Sequence, residues 1–361
     1  MLNCTIARIV DMNMPHIYAF VLGIFIVLFI GCQDPTSFDT NVDKKFYDFE
    51  SHKKATGKVV VESDSIFLPS DITLADSMLL MRDAEGPPFV HAYNLGSGEL
   101  YSFGEEGRGP NEFTGVWEID NVHNTDYFRI FDLSSRKVHI CDVDSIKDKS
   151  QDVCSLEAEI LSEGVPLRVN MTIKDKIFAS GIYDKRIATY DSTGEIENVF
   201  GRIPKNTNIK GKLPISKISK AYESNIDVST SNKKVVAASM FSDRIDIYDF
   251  GEGDPFTIRG PDMFLPTFSL LESGRLMHTD GTRTSYIDVS SKGKFVYAAY
   301  KGYVDDKNKN NDEIHVFKIS GEPTEKIELD FKINSIEVGN SANFLYCTSN
   351  DPRPRVIRIS I

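Results

Sequence analysis

Six polar side chains lie in short segments where apolar and polar residues alternate. They are Glu118 and Asp120 in VWEID, Arg168 and Asn170 in LRVNM, Asp227 in NIDVS and Asp288 in SYIDV. Brought into a ring, their carboxylate and amide oxygens would suit Ca2+, which takes about six to eight oxygen ligands. The plainer expectation is a solvated channel whose carboxylates are hydrated and hold no metal. A second candidate is GEEGRGPNEF (104–113), where Gly104, Gly107 and Gly109 precede Pro110. A dinucleotide fingerprint needs G-x-G-x-x-G opening a helix, and a P-loop ends in Gly-Lys-Ser/Thr. Here the glycine order is reversed and a proline follows. The next stretch, TGVWEIDNVHNTDYFRIFD, has strand composition and no helical period. With no helix N-terminus to hold a phosphate, the segment is expected to be a turn.

Other chemistries find less support. DDKNKNNDE (305–313) is rich in oxygen donors, but an EF-hand loop counted from Asp306 places Asn311 at the glycine position and Phe317 at the glutamate position. A polar surface loop is expected instead. The histidines at 16, 52, 91, 123, 139, 278 and 315 form no H-x-x-x-H, and G-x-S-x-G is absent. Trp117, the only tryptophan, is expected to pack between repeats, with stacking on a sugar as the alternative. The net charge of -12 argues against nucleic acid, which would need a basic face.

The elements that must position these residues are strands in a repeat. Strand-like runs MLLM, FRIF, IFAS, VVAA, FVYA and FLYC begin at residues 78, 128, 177, 235, 295 and 344. A third strand follows each: VHAYNL, KVHICDV, RIATYD, RIDIYDF, EIHVFKI and RVIRISI. The segments carrying the six polar residues, together with NSIEV, fall just before these pairs as inner strands. Four antiparallel strands at this period spell a β-propeller blade, so the chain is expected to be all-β and six-bladed. The last group lacks its outer strand, and KVVVESD (58–64) is spare. That N-terminal strand is expected to close the last blade and remove an open seam. Residues 204–224 and 260–284 are then insertions, the first with a short helix, and 302–313 is a long polar loop.

The repeat carries a family resemblance. GRGPNEF before a strand is similar to the G-x-G-P-x-E-F turn of bacterial six-bladed propeller lipoproteins and to the G-x-G-x-x-Q-F turn of NHL-like propellers. DRIDIYDFGEGDPFTIRGPDMFLP and DEIHVFKISGEPTEKIELDFKINSIEV resemble later blades of TolB-like propellers of Gram-negative bacteria. The resemblance covers residues 58–361 and implies a fold, with no catalytic motif to carry over. It implies that GEEGRGPNEF links the outermost strand of one blade to the innermost of the next. Propeller lactonases of this architecture hold Ca2+ in the central channel, which makes a Ca2+-dependent hydrolase or lactonase the alternative to a binding protein.

The N-terminus reads as an address. IYAFVLGIFIVLFIGC (17–32) is an apolar run too short for a comfortable transmembrane helix of about 20 residues and suited to a signal peptide. Its end, Gly31-Cys32, resembles a bacterial lipobox, with lipidation at Cys32. Gln33 occupies the place where Asp favours inner-membrane retention, which points to the outer membrane. The expected organisation is a signal peptide over 1–31, a polar tether over 32–57 contributing no core, and a propeller over 58–361. The expected function is non-catalytic binding of a protein or glycan in the cell envelope, with membrane attachment through the lipid. Of the remaining cysteines, Cys141, Cys154 and Cys347 are expected to be small buried hydrophobes, with a cross-strand Cys141–Cys154 bridge as the alternative.

Overall fold

The computed structural model describes residues 42–361 except 151, 162–163, 174, 205–207, 210–212 and 305–311. The expected signal peptide over 1–31, Cys32 and most of the 305–313 loop therefore lie outside the described residues. Six antiparallel sheets follow one another along the chain. Blade 1 comprises Pro69–Ala75, Met78–Asp83, Val90–Asn94 and Leu100–Phe103. Blade 2 comprises Val116–Asn121, Tyr127–Asp132, Lys137–Asp142 and Cys154–Glu159. Blade 3 runs from Val165–Asn170 through Lys176–Ile182 and Ile187–Asp191 to Ile196–Phe200. Blade 4 runs from Ser224–Ser229 through Lys234–Ser239 and Arg244–Asp249 to Glu252–Arg259. Blade 5 contains Thr284–Lys292, Phe295–Tyr303, Glu313–Lys318 and Pro323–Leu329. Blade 6 contains Ser335–Val338, Phe344–Ser349 and Arg355–Ser360, and its fourth strand is Lys58–Glu62.

The second strand of each blade is an almost unbroken apolar run because both its faces meet a neighbouring blade. Met78, Leu79, Leu80 and Met81 are fully buried, as are Val235, Val236, Ala237 and Ala238. Alternate residues of one strand thus serve two inter-blade cores: Leu80 packs with Ile119 and Phe128 of blade 2, and Leu79 packs with Tyr346 of blade 6. Closure is as expected. Lys58–Glu62 pairs antiparallel with Arg355–Arg358, and buried Val61 joins a cluster with Val356.

The expected tether is corrected over its described part, residues 42–57. Lys44–Lys45 pairs parallel with the outermost strand of blade 4, and Ser51–Ala55 pairs parallel with that of blade 5. Phe46 and Phe49 are buried against Phe317, at ring-centroid distances of 5.6 and 5.7 Å. Residues 43–62 thus form a strap along the rims of blades 4, 5 and 6. Strand addition uses backbone N–H and C=O groups, which a polar, charged segment supplies as well as an apolar one. The preference for free cysteines is also corrected. Cys141 and Cys154 stand opposite each other on adjacent strands, 4.1 Å apart at Cα, and form a disulfide. Cys347 is free and buried.

Among the described residues the helices are Val143–Lys147 and Ile215–Ala221, the second inside the insertion expected to hold one. The GEEGRGPNEF segment does link the outermost strand of blade 1 to the innermost of blade 2. Its Glu112 carboxylate accepts the N–H groups of Arg108 and Gly109 at 2.9 and 2.7 Å. A Cβ on Gly107 would fall 2.0 Å from that carboxylate, so the glycine clears room for it. Gly104 has a φ of +89° and closes over the buried Phe113 ring.

Candidate functional site: the central channel

All six polar residues singled out above lie on innermost strands, which line the axis because each blade turns its first strand inward. A cavity of about 410 Å³ occupies this axis, lined by Glu118, Asp120, Asn170, Asp227 and Asp288, and reaching the inner hairpins at Ser231 and Gly293. Arg168 lies on the same innermost strand as Asn170. Its Nη1 donates to Glu118 Oε1 at 3.1 Å, its Nε lies 3.8 Å from Glu223 Oε1, and its Nη2 is 3.6 Å from Met240 Sδ. Trp117 sits between blades 2 and 3, donating from Nε1 to Leu167 O at 2.7 Å. The guanidiniums of Arg82 and Arg168 lie 5.3 and 5.2 Å from its ring. Its environment is the inter-blade one.

Two further carboxylates line the cavity, Asp71 on blade 1 and Glu337 on blade 6. NSIEV reads as an inner strand, and its place in the repeat puts Glu337 with the others. Asp71 lies in SDITLA, whose alternation is the signal that could have found it.

The hydrogen bonds show what most of these groups do. Asp71 Oδ2 accepts the N–H of Ile119 in blade 2 at 2.8 Å. Asp120 Oδ2 accepts that of Met171 in blade 3 at 2.9 Å. Asn170 of blade 3 donates from Nδ2 to Asp227 Oδ1 of blade 4 at 3.3 Å. Asp288 Oδ2 accepts from Ser335 Oγ at 2.6 Å and from Ile336 N at 2.7 Å in blade 6. Ser290 Oγ donates to Glu337 Oε2 at 3.0 Å across the same junction. Each side chain reaches from one innermost strand to the next. Such latches satisfy N–H groups that face no strand of their own sheet and fix the angle between blades. Among the described residues no three His, Cys, Asp or Glu side chains converge to hold a metal ion. Asp71, Asp120 and Asp288 each turn an oxygen toward a backbone N–H of the next blade, while Glu118 pairs with Arg168 and Glu337 accepts from Ser290.

Burial and repulsion dominate the electrostatics. Burial pushes Glu118 up to about 8, with Asp71 repelling it and Arg168 opposing the shift. Burial likewise raises Glu337 to about 8, aided by Asp227 and Asp288, and Asp288 to about 7, aided by Asp71. Asp120 is raised well above its ordinary value by burial and then by Asp71. A carboxyl whose folded pKa is raised binds its proton more tightly in the folded state. Its stabilising contribution is complete below about 4.5 and is lost as pH rises through the folded value. The melting temperature is therefore expected to fall by roughly 5 °C between pH 6 and pH 9. Glu337→Gln, which cannot ionise, should flatten that slope. A flat pH profile in the native chain, measured by calorimetry, would contradict this account.

The three histidines on third strands are packed. His91 is buried, 3.3 Å from Asp83 Oδ2 and 2.8 Å from Ser102 Oγ. His139 meets the Phe113 ring edge-on, and His315 stacks on Tyr300 at 4.1 Å.

The face that carries the blade-to-blade connections also carries both insertions. The helix Ile215–Ala221 and the hairpin Ser269–Leu270/Leu276–Met277 share a small core of Ile209, Ala221 and Phe268, with Phe241 against Phe268 at 5.1 Å. Asn208 N donates to Pro266 O at 3.0 Å and ties the insertions together. Outside this core Ile215, Leu270, Leu271 and Met277 are 39–49% exposed.

Six four-stranded blades around an axial cavity define a six-bladed β-propeller. The chain belongs to the TolB-like six-bladed propeller family, whose model, described as "TolB-like 6-blade propeller-like", matches residues 48–341. No curated protein matches the sequence. Among solved structures it is similar to a member of the DUF4221 family from Bacteroides vulgatus, at 10% identity and a TM-score of 0.55, covering 85% of this chain and 96% of that one. It is also similar to regucalcin, a calcium-binding protein from Agrobacterium tumefaciens, at 12% identity and a TM-score of 0.51, covering 86% and 95%. At these identities the likeness is one of fold.

Proposed function

We propose that this protein is a lipid-anchored, non-catalytic binding propeller of the bacterial cell envelope, held to the outer membrane through Cys32. Its partner docks on the insertion platform. The observation that carries this reading is the platform itself, a braced apolar surface standing on a rigid disc. The exposed Leu270, Leu271 and Met277 favour a protein over a glycan, which would need polar groups and a stacking aromatic. The channel carboxylates support the non-catalytic part, since Asp71, Asp120 and Asp288 are engaged in joining blades. The Gly31-Cys32 junction supports the anchor.

The test is done in the native host. A photo-crosslinking residue at Leu271 should give one discrete adduct with an envelope protein, and the Leu270→Asp, Leu271→Asp double variant should reduce binding of that protein at least about tenfold. Absence of an adduct would remove the platform. Cys32→Ser should abolish palmitate labelling, and labelling that persists would remove the anchor.

A further inference from the structure

The strap covers the outermost strands of blades 4 and 5 with added parallel strands, and at the next rim position no described residue adds one. The outermost strand of blade 3, Ile196–Phe200, pairs only with Ile187–Asp191 among the described residues. Ile196 and Val199 on it are 37% and 38% exposed. Blade 3 is joined to the strap-covered blade 4 at this rim, where Asn198 Nδ2 donates to Gly251 O at 2.8 Å and Arg202 pairs with Asp254 at 2.8 Å. A groove of about 420 Å³ opens at that junction, bordered by Lys185, Phe200, Gly201, Gly251 and Gly253. A Cβ placed on Gly253 would meet nothing within 4 Å, so this edge of the groove is open to an incoming side chain.

We propose that the rim of blade 3 is a strand-addition site for an extended segment of a partner polypeptide, laid parallel to Ile196–Phe200 and running on into this groove. The geometry is the one this chain already uses on the neighbouring rims, where Lys44–Lys45 and Ser51–Ala55 add in parallel. Backbone hydrogen bonds to an open edge supply affinity, and alternate side chains supply selectivity. The segment carries apolar residues to meet Ile196 and Val199 and an acidic residue to meet the exposed Lys185. A second copy of this chain suits the edge less well. Self-pairing would bring Glu195 and Glu197 of two molecules together on chains that each carry a net charge of -12.

The site is independent of the insertion platform and is tested with a different probe. A displayed library of random linear dodecapeptides is selected on the full-length protein in detergent, and the enriched peptides are synthesised. Enriched sequences are expected to alternate apolar residues and to include Asp or Glu. Their binding should weaken at least about tenfold in Val199→Lys, which places a charge on the edge. It should be unchanged in Leu156→Lys, the matching change on the outermost strand of blade 2. Bound peptide should slow amide hydrogen exchange in residues 196–200, and melting temperatures confirm that both variants are folded. The proposal is overturned if no alternating sequence is enriched, if Val199→Lys binds as well as the native chain, or if exchange at 196–200 is unaffected.

Discussion

Removing residues 1–66 is expected to abolish soluble expression, whereas removing 1–42 leaves the melting temperature unchanged. The segment between these endpoints does three separate jobs. Residues 44–45 and 51–55 add strands to blades 4 and 5, and residues 58–62 complete blade 6. A chain beginning at residue 57 would lose Phe46 and Phe49, both buried against Phe317, with Phe49 also 4.7 Å from His315. At roughly 1.5–3 kcal/mol for each buried aromatic, that truncation should lower the melting temperature by about 10 °C while the ring stays closed. A chain beginning at residue 67 would lose the closing strand itself. The backbone groups of Arg355–Arg358 would lose their partners, and Val356, Tyr346 and Leu74 would lose the cover of Val61 and Ile66. An open, apolar edge in a ring that has sprung its seam is an aggregation site. Soluble protein from residue 67 melting within a few degrees of the chain from residue 43 would show that the N-terminal strand does not hold the ring shut.

Arg129→Ala is expected to lower the melting temperature by roughly 10 °C, corresponding to about 3–5 kcal/mol for breaking a buried ion pair from one side. Arg129 lies in the second strand of blade 2 and is 2% exposed. Its Nε and Nη2 each donate to the Glu157 carboxylate at 2.6 Å, in the two-pronged geometry that makes such pairs strong. Its Nη1 donates at 2.7 Å to both Met171 O and Ile173 O, in the inner hairpin of blade 3. The alanine variant leaves a carboxylate and two carbonyls without their donor and a cavity between the blades. Replacing both partners, as Arg129→Met with Glu157→Leu, should recover a substantial part of the loss, because no lone charge remains. Calorimetry on the two variants decides the matter. An Arg129→Ala protein that melts with the native chain would mean that this junction does not depend on the ion pair.

Neither Arg129 nor the strap was visible before the fold. FRIF announced a strand, and an arginine in alternation with apolar residues reads locally as the solvent-facing position. The second strand of a blade, however, has a neighbouring blade on both faces, so its polar positions are buried and must find partners in other segments. Glu157 is 28 residues away and Met171 is 42. The strap escaped for a different reason. In DKKFYDFESHKK the two buried phenylalanines stand among charges, and the pairing is made by backbone groups that carry no residue signature.

The blade count, the strand order and the closing strand were determined by the sequence alone, because each rests on local information. Period-two alternation marks a strand, a repeat near 50 residues marks a blade, and a short last repeat with a spare first strand marks the seam. The positions of Glu118, Asp120, Arg168, Asn170, Asp227 and Asp288 on innermost strands followed from that repeat. Their use did not. Whether Asp120 meets a metal ion, water or the N–H of Met171 depends on a neighbour 51 residues away and on the angle at which one blade meets the next. Only the closed ring sets that angle. The same closure placed Asp71 and Glu337 beside the others, whereas Cys141 meets Cys154 through the local register of two adjacent strands of blade 2.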